Sequence, residues 1–203
     1  ENAKKLIDFT IKKFGKLNIL VNNAGVSMRG NFANLNPDVF KRVFDINVLG
    51  SVYTSINAIP FIKETKGSIV FVSSVAGIRG LPSNSAYCSS KMALRAIAES
   101  IRIEEVKSKI HVGLIYVGIT EIEDDKKTIA EDGNLVLLKD RSNFNVQSLE
   151  HVSNAIIKNI EKRKFSTVLT KMGWLNAVLQ PLFPDLVEKI LIASNKRIKE
   201  RLK

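Results

Sequence analysis

Residues 68–73 read Ser-Ile-Val-Phe-Val-Ser, an unbroken run of β-forming side chains between two serines. A strand that is buried on both faces has this composition, which is typical of a parallel sheet covered by helices. A second run of the same kind covers residues 110–117, and Gly118 ends it. A helix-length segment separates the two runs, and this alternation indicates a parallel sheet.

Helical and strand patterns continue to alternate on either side of these two runs. Apolar residues at helical spacing predict a helix over residues 3–14, and a short apolar run predicts a strand over 17–21. Asn36-Pro37-Asp38 has the N-cap and first-turn residues of a helix that runs towards Ile62. The remaining predicted elements are a helix over 85–106, a mixed, turn-rich insertion over 119–147, a helix over 149–161 and a strand over 165–170. This order predicts an α/β fold: an open parallel sheet with helices on both faces.

The composition is ordinary for a globular protein and argues against several kinds of site. No run of 18 or more apolar residues predicts a membrane-spanning helix. The single cysteine, Cys88, leaves no partner for a disulfide within the chain and suits a reducing compartment, so we expect a cytoplasmic protein. Two histidines and one cysteine leave little material for zinc, and we predict no metal site.

The net charge is +11, and much of it lies near the C-terminus. Residues 158–203 hold 11 Lys and Arg against 4 Asp and Glu, a net charge of +7. Pro184-Asp185 predicts the start of a helix with apolar positions and a basic end. A helix packed on the sheet or on a partner subunit, with solvated lysines, fits this pattern, and so does a helix at an anionic membrane surface. We predict no nucleic-acid binding, because aromatic residues are not interleaved with the basic ones.

Tyr87 and Lys91 lie in the first turns of the helix predicted over residues 85–106. A spacing of four places both side chains on one helical face, where the ammonium can act on the phenol. An unperturbed tyrosine has a pKa of roughly 10, which makes it a poor acid or base near neutral pH. A neighbouring cation lowers that pKa, as general acid/base catalysis requires. A surface tyrosine beside a solvated lysine has the same spacing, so the pair alone does not decide a function.

Three further motifs accompany this pair in order along the chain. They are Asn22-Asn23-Ala24-Gly25, Asp45-Ile46-Asn47-Val48 and Ser73-Ser74-Val75-Ala76-Gly77. Together with Tyr87-Cys88-Ser89-Ser90-Lys91, they resemble the N-N-A-G, D-x-N-V, S-S-x-x-G and Y-x-x-S-K motifs of the short-chain dehydrogenase/reductase family. The resemblance covers residues 1–170 and implies a Rossmann-like fold and an NAD(P)-dependent oxidoreductase.

The resemblance implies four catalytic residues. Tyr87 would exchange a proton with the substrate oxygen, and Lys91 would lower the pKa of Tyr87 and hold the nicotinamide ribose hydroxyls. Ser74 would bond the substrate oxygen in preference to Ser73, which strand alternation points to the other face. Asn47 would support a water that relays protons to Lys91.

The resemblance also implies a nicotinamide cofactor, NADP being favoured over NAD. Besides Tyr87 and Lys91, the cofactor-binding residues would be Asn23, Ala24 and Gly25 on the adenine-ribose side, and Gly118, Ile119 and Thr120 near the carboxamide. The family's usual Pro-Gly is replaced here by Val117-Gly118. Its glycine-rich pyrophosphate loop does not occur in the sequence. We therefore expect about 60–70 residues, two βα units and a strand, to precede Glu1. We also expect an open sheet edge at 17–21 and weak cofactor binding by the chain alone.

These expectations lead to two alternative functions. The first is hydride transfer between NAD(P)(H) and a ketone or secondary alcohol, lipid- or steroid-like because residues 135–138 and the C-terminal segment are apolar. The second is a non-catalytic binding or assembly fragment of the same fold. We divide the chain into a partial NAD(P)-binding domain with the catalytic site (1–170) and a basic amphipathic tail (171–203), and we expect a homo-oligomer. Cys88, His111 and His151 are interpreted as structural.

Overall fold

The computed structural model describes residues 1–123, 125–138 and 146–201, with side chains described as far as residue 195. Its helices are α1 (Asn2–Phe14), α2 (Pro37–Phe44), α3 (Gly50–Thr65), α4 (Ser85–Glu104), α5 (Leu149–Glu161), α6 (Lys171–Leu182) and α7 (Pro184–Arg201). Its strands are β1 (Ile19–Asn22), β2 (Met28–Arg29), β3 (Ser68–Ser74), β4 (His111–Val117), β5 (Lys127–Ala130), β6 (Leu135–Leu137) and β7 (Ser166–Val168). Each helix and strand predicted from the sequence is present.

The main sheet has four parallel strands in the order β1-β3-β4-β7. β3 and β4 pair along their whole length, from Ser68 opposite His111 to Ser74 opposite Val117, and every residue of both strands is buried. Parallel strands covered on both faces need this continuous apolar sequence. The predicted fold class, an open Rossmann-like parallel sheet between helices, is confirmed.

Alternate residues of β3 and β4 pack against helices on opposite faces of the sheet. On one face Ile69 and Phe71 contact apolar residues of α1, α3 and α4. On the other face Val70 and Val72 pack against α5. β1 lies at one edge of this sheet, as the sequence predicted for residues 17–21.

The helix predicted from Asn36 towards Ile62 contains a turn that the sequence did not reveal. It begins as predicted, because the Asn36 side chain accepts a hydrogen bond from the Asp38 N–H and Pro37 occupies the first turn. Between α2 and α3, Asp45–Leu49 form a π-helical turn. Such turns insert one residue into a helix and occur often at functional sites. Here the turn contains Asn47.

The segment predicted as a turn-rich insertion contains a second sheet. β5 and β6 form an antiparallel hairpin, and β5 pairs in parallel with the two-residue strand β2. Ser27 and Thr128 share a hydrogen bond of 2.9 Å, and the Glu131 carboxylate accepts from the Asn31 N–H at 2.8 Å. These contacts attach the hairpin to the loop that precedes α2.

The C-terminal helices pack over the turn that follows β3. The Arg79 guanidinium donates to Gln180 in α6 at 2.5 Å and to the Pro184 carbonyl at 3.2 Å, and it pairs with Glu188 in α7. The helix predicted to start at Pro184 is confirmed, whereas the side chains of its predicted basic end, from Lys196 onward, lie outside the described residues. Among the described residues, no helix combines the length and apolar character needed to cross a bilayer. The division of the chain at residue 170 stays a prediction.

Candidate active site

A cleft of about 540 Å³ opens where β1, β3 and β4 end. The carboxyl ends of parallel strands share one edge of a sheet, which is where open α/β folds bind ligands. Eight of the ten residues predicted from the sequence line this cleft: Asn23, Ala24, Gly25, Ser74, Tyr87, Lys91, Gly118 and Thr120. The other two adjoin the cleft: Asn47 bonds the backbone of Val26, which lines it, and Ile119 lies between Gly118 and Thr120.

Ser73 and Ser74 both line the cleft, so strand alternation does not separate them as predicted. Their hydrogen bonds do. The Ser73 hydroxyl donates to the Lys91 carbonyl at 2.9 Å, which commits its proton to the backbone. The Ser74 oxygen instead accepts from the Ala76 N–H at 3.2 Å, so its proton remains able to bond a ligand.

Tyr87 and Lys91 lie together on the first turns of α4, as their spacing predicted. The Lys91 Nζ is 6.0 Å from the centre of the Tyr87 ring and donates to the Val72 carbonyl at 2.9 Å. Lys91 is only 5% exposed, and burial lowers its pKa to about 8. Burial disfavours the charged form of a lysine, yet at neutral pH this ammonium still holds its proton.

Asn47 is fully buried and fastens the 23–26 segment to α4. Its Oδ1 accepts from the Val26 N–H at 2.8 Å, and its Nδ2 donates to the Val26 carbonyl and to the Ser90 hydroxyl, each at 3.0 Å. The Ser90 hydroxyl in turn donates to the Tyr87 carbonyl at 2.8 Å. Asn47 therefore connects the 23–26 segment, which lines the cleft, to the helical turn that carries Tyr87.

Gly25 allows the backbone to pass over Asn47 and Lys91. A Cβ at this position would lie 3.1 Å from the Asn47 Oδ1 and 3.3 Å from the Lys91 Nζ. Contacts this close would require the two polar groups to shift by a few tenths of an ångström. A side chain at position 25 would therefore disturb the same groups that the sequence singled out.

Two buried or half-buried amides hold segments next to the cleft and were not assigned roles from the sequence. Asn22, at the end of β1, donates to the Ser55 hydroxyl at 2.9 Å and accepts from the Thr54 hydroxyl at 2.7 Å. Asn22 is the first residue of the N-N-A-G motif, so the sequence offered a signal that could have identified it. Gln147 bonds the Gly118 N–H, and no motif contains it.

Two of the three residues interpreted as structural, Cys88 and His111, are buried, which agrees with that interpretation. Cys88 is buried, and burial raises the pKa of its thiol. His111 is buried between the Ser68 hydroxyl and the Lys164 carbonyl, at 3.2 and 3.0 Å, and burial lowers its pKa. The backbone N–H of His151 bonds the Ser148 side chain at the start of α5, and the interpretation of its imidazole stays a prediction. The described residues contain no group of three or more His, Cys, Asp or Glu that could hold a metal ion.

Residues 1–134 match the sequence model of the short chain dehydrogenases. The chain belongs to the short-chain dehydrogenase/reductase family. The motifs identified in the sequence and the parallel sheet agree with that membership.

The similar family members include proteins of known name from several organisms. Dehydrogenase/reductase SDR family member 7B of Bos taurus is 34% identical over 190 residues, which are 93% of this chain and 58% of the relative. 3-Ketodihydrosphingosine reductase of Bos taurus is 35% identical over 81% of this chain and 49% of its own. 11-beta-hydroxysteroid dehydrogenase 1A of Arabidopsis thaliana is 31% identical over 93% of this chain and 56% of its own. The chain thus spans about half the length of these relatives.

Solved structures of the family share the fold. A short-chain dehydrogenase from Streptomyces avermitilis aligns with 96% of this chain and 77% of its own, with a TM-score of 0.74 and 18% identity. NAD⁺-bound xylitol dehydrogenase aligns with 60% of this chain and 47% of its own, with a TM-score of 0.57 and 29% identity.

Proposed function

We propose that the protein is an oxidoreductase that transfers a hydride between a nicotinamide cofactor and a ketone or secondary alcohol, with Tyr87 as the acid/base. The observation that carries this proposal is the buried Lys91 ammonium beside Tyr87, in a cleft that Ser74 also lines. Family membership and the NAD⁺-bound relative support the cofactor class.

The donors around the cleft fit the nicotinamide-ribose half of such a cofactor. An ammonium has three donors, and the described residues engage one of those of Lys91, through the Val72 carbonyl. The other two are available to ribose hydroxyls. Gly25 leaves space above Lys91 that a Cβ would occupy. The bound cofactor would supply or accept the hydride.

In the reduction direction, negative charge develops on the substrate oxygen, and two hydroxyls of this chain stabilise it. The Tyr87 phenol donates its proton to that oxygen. The Ser74 hydroxyl donates a hydrogen bond, for which it is prepared because its own oxygen already accepts from the Ala76 N–H. Donors fixed in place before the reaction need no reorganisation as the charge forms. The Lys91 ammonium favours the phenolate that remains on Tyr87.

We propose a substrate with a large apolar body. Ile122, Leu138, Leu149 and Val152 lie along the cleft beside the polar groups. Two relatives are named for a ketodihydrosphingosine and a hydroxysteroid, which both have such a body. Ser74, Tyr87 and Lys91 would face the nicotinamide-ribose half of the cofactor, which NAD and NADP share, so both cofactors belong in the assay.

We also propose that the exposed apolar face of α6 contacts an anionic membrane surface. Trp174, Leu175, Val178 and Leu182 recur at helical spacing and are exposed, with Lys171 on the same face. The surrounding sequence, residues 158–203, carries a net charge of +7. An aromatic and aliphatic face with nearby lysines is the composition of an interfacial helix.

The acid/base proposal is tested by replacing Tyr87 with Phe in the full-length gene product. Turnover of a ketone panel with NADH and NADPH is expected to fall at least about 100-fold, because the proton donor is lost. Tyr53→Phe is the matched control, since Tyr53 is exposed on α3, and it is expected to retain activity. Activity of the Tyr87→Phe variant equal to that of the unmodified protein would overturn the mechanism.

A further inference from the structure

Gln147 joins the ends of two neighbouring strands through a single side-chain amide. Its Oε1 accepts from the Gly118 N–H at 3.0 Å, immediately after β4. Its Nε2 donates to the Leu169 carbonyl at 3.0 Å, immediately after β7. The side chain is half-buried, so both bonds lie partly shielded from water.

The backbone of Gln147 holds the same segment. Its N–H donates to the Ile119 carbonyl at 2.8 Å, and its carbonyl accepts from the Glu121 N–H at 3.0 Å. Thr120 lies between these two bonds and forms a parallel bridge with Gln147. Side chain and backbone together make four hydrogen bonds, and three of them hold residues 118–121, of which Gly118, Thr120 and Glu121 line the cleft.

The local packing requires both an amide at 147 and a glycine at 118. One bonded group is an N–H and the other is a carbonyl, so the side chain between them must accept and donate at once. A Cβ on residue 118 would lie 2.9 Å from the Gln147 Oε1 and would collide with the Thr170 methyl group. The turn at Gly118 is therefore built around the Gln147 amide.

We propose that Gln147 is a positioning residue that sets the cofactor-facing wall formed by Gly118, Ile119 and Thr120. This proposal rests on the function proposed above, because the wall has a role only if a nicotinamide cofactor binds against it. Gln147 does not itself line the cleft and acts through the segment it holds. Its loss is therefore expected to weaken cofactor binding while leaving proton transfer at Tyr87 intact.

The test compares Gln147→Met with Gln147→Glu in the full-length gene product. Methionine has a similar length but makes neither hydrogen bond, and the expected result is a cofactor KM and Kd raised about tenfold, the factor that corresponds to one lost interaction of this kind. The kcat at saturating cofactor and its pH profile are expected to stay within about threefold of the unmodified protein. Glutamate keeps the acceptor for the Gly118 N–H, so the cofactor KM of Gln147→Glu is expected to lie between those of the unmodified protein and Gln147→Met.

The control is Gln180→Met, the same chemical change in α6, where the side chain bonds Arg79 instead. It is expected to leave the cofactor KM unchanged. A cofactor KM that is unchanged in Gln147→Met, or a kcat that falls at saturating cofactor without a change in KM, overturns the proposal. If Gln147→Met does not fold, a Gln147→Glu variant with unaltered cofactor KM overturns it equally.

Failure of the proposed function gives a different result. An unmodified protein that binds the cofactor but turns over no substrate contradicts the oxidoreductase, while the cofactor Kd of the Gln147 variants still tests the positioning role. An unmodified protein that neither binds nor turns over contradicts both.

Discussion

Lys91 combines two demands that oppose each other. In the proposed mechanism its ammonium must be charged to act on Tyr87, yet the residue is only 5% exposed where it lines the cleft. Burial lowers its pKa from 10.5 to about 8, so holding the proton below pH 8 costs on the order of 3 kcal/mol relative to the unfolded chain. This cost is typical of an active-site group placed for chemistry rather than for stability.

Replacing Lys91 with Met is expected to stabilise the protein at pH 7 by about 1–3 kcal/mol while abolishing activity. The substitution removes the free-energy cost of burying the charge, but it also removes the hydrogen bond to the Val72 carbonyl, so the net gain is smaller than that cost. Because the pKa of Lys91 is lower in the folded protein, its destabilising effect is complete below pH 8. The effect fades between pH 8 and 10.5, where the folded protein gives up the proton before the unfolded chain does. Urea unfolding of both proteins at pH 7 and pH 10 is therefore expected to show a smaller difference at pH 10.

Lys12→Met, at an exposed position of α1, serves as the control and is expected to shift stability little at either pH. A Lys91→Met variant less stable than the unmodified protein at pH 7 would contradict the argument. So would a difference that does not change between pH 7 and pH 10.

The residues of the site differ in how far the sequence predicts them. The Tyr87 and Lys91 pair follows from helical periodicity alone, because a spacing of four fixes their shared face. Ser73 and Ser74 show where such a rule ends, since both line the cleft and only their hydrogen bonds distinguish them. Gln147 bonds backbone groups 29 and 22 residues away, and no local pattern records such contacts.

At the scale of secondary structure, the long buried strands and amphipathic helices were predictable, and two features were not. The π-helical turn at Asp45–Leu49 keeps the apolar pattern of a helix while adding one residue to a turn. The second sheet joins β2, with two residues, to β5, which lies about a hundred residues later. β6 is exposed along its length, so it lacks the burial alternation that identifies a strand.

Gly30→Ala tests how firmly the β5–β6 hairpin is held. A Cβ on residue 30 would collide with the Glu131 side chain and lie 3.0 Å from its Cα, so the hairpin must shift. Such overpacking is expected to cost about 1–3 kcal/mol. Hydrogen exchange measured by NMR is expected to show faster exchange at the Ile129 N–H, which bonds the Ser27 carbonyl, while the amides of β3 and β4 stay protected.

Gly80→Ala is the matched control, because a Cβ there meets no atom within 4 Å. It is expected to leave exchange at Ile129 unchanged. Equal protection of Ile129 in Gly30→Ala and the unmodified protein would mean that the hairpin does not depend on this close approach.

At the scale of the whole molecule, the cleft and the C-terminal helices are linked by the turn after β3. Ser74 ends that strand, and Arg79, a few residues later, bonds both α6 and α7. α6 also starts directly behind β7, where the Thr170 hydroxyl accepts from the Gly173 N–H. The exposed apolar face of α6 is thereby held at a fixed position relative to the proposed substrate site.

The membrane proposal predicts that binding to vesicles depends on this face and on salt. Leu182 is 63% exposed, and Leu182→Glu places a carboxylate where the apolar face would enter the interface. Flotation with anionic vesicles at low salt is expected to recover the unmodified protein and to lose the variant. Each lysine or arginine near an anionic surface contributes about 1 kcal/mol, so raising the salt is expected to weaken binding, and neutral vesicles are expected to bind less.

Ile103→Glu is the control, because Ile103 is 75% exposed on α4 and outside the proposed face. If the unmodified protein does not float with anionic vesicles at low salt, α6 has no role at a membrane. The same conclusion follows if Leu182→Glu and Ile103→Glu lose vesicle binding equally.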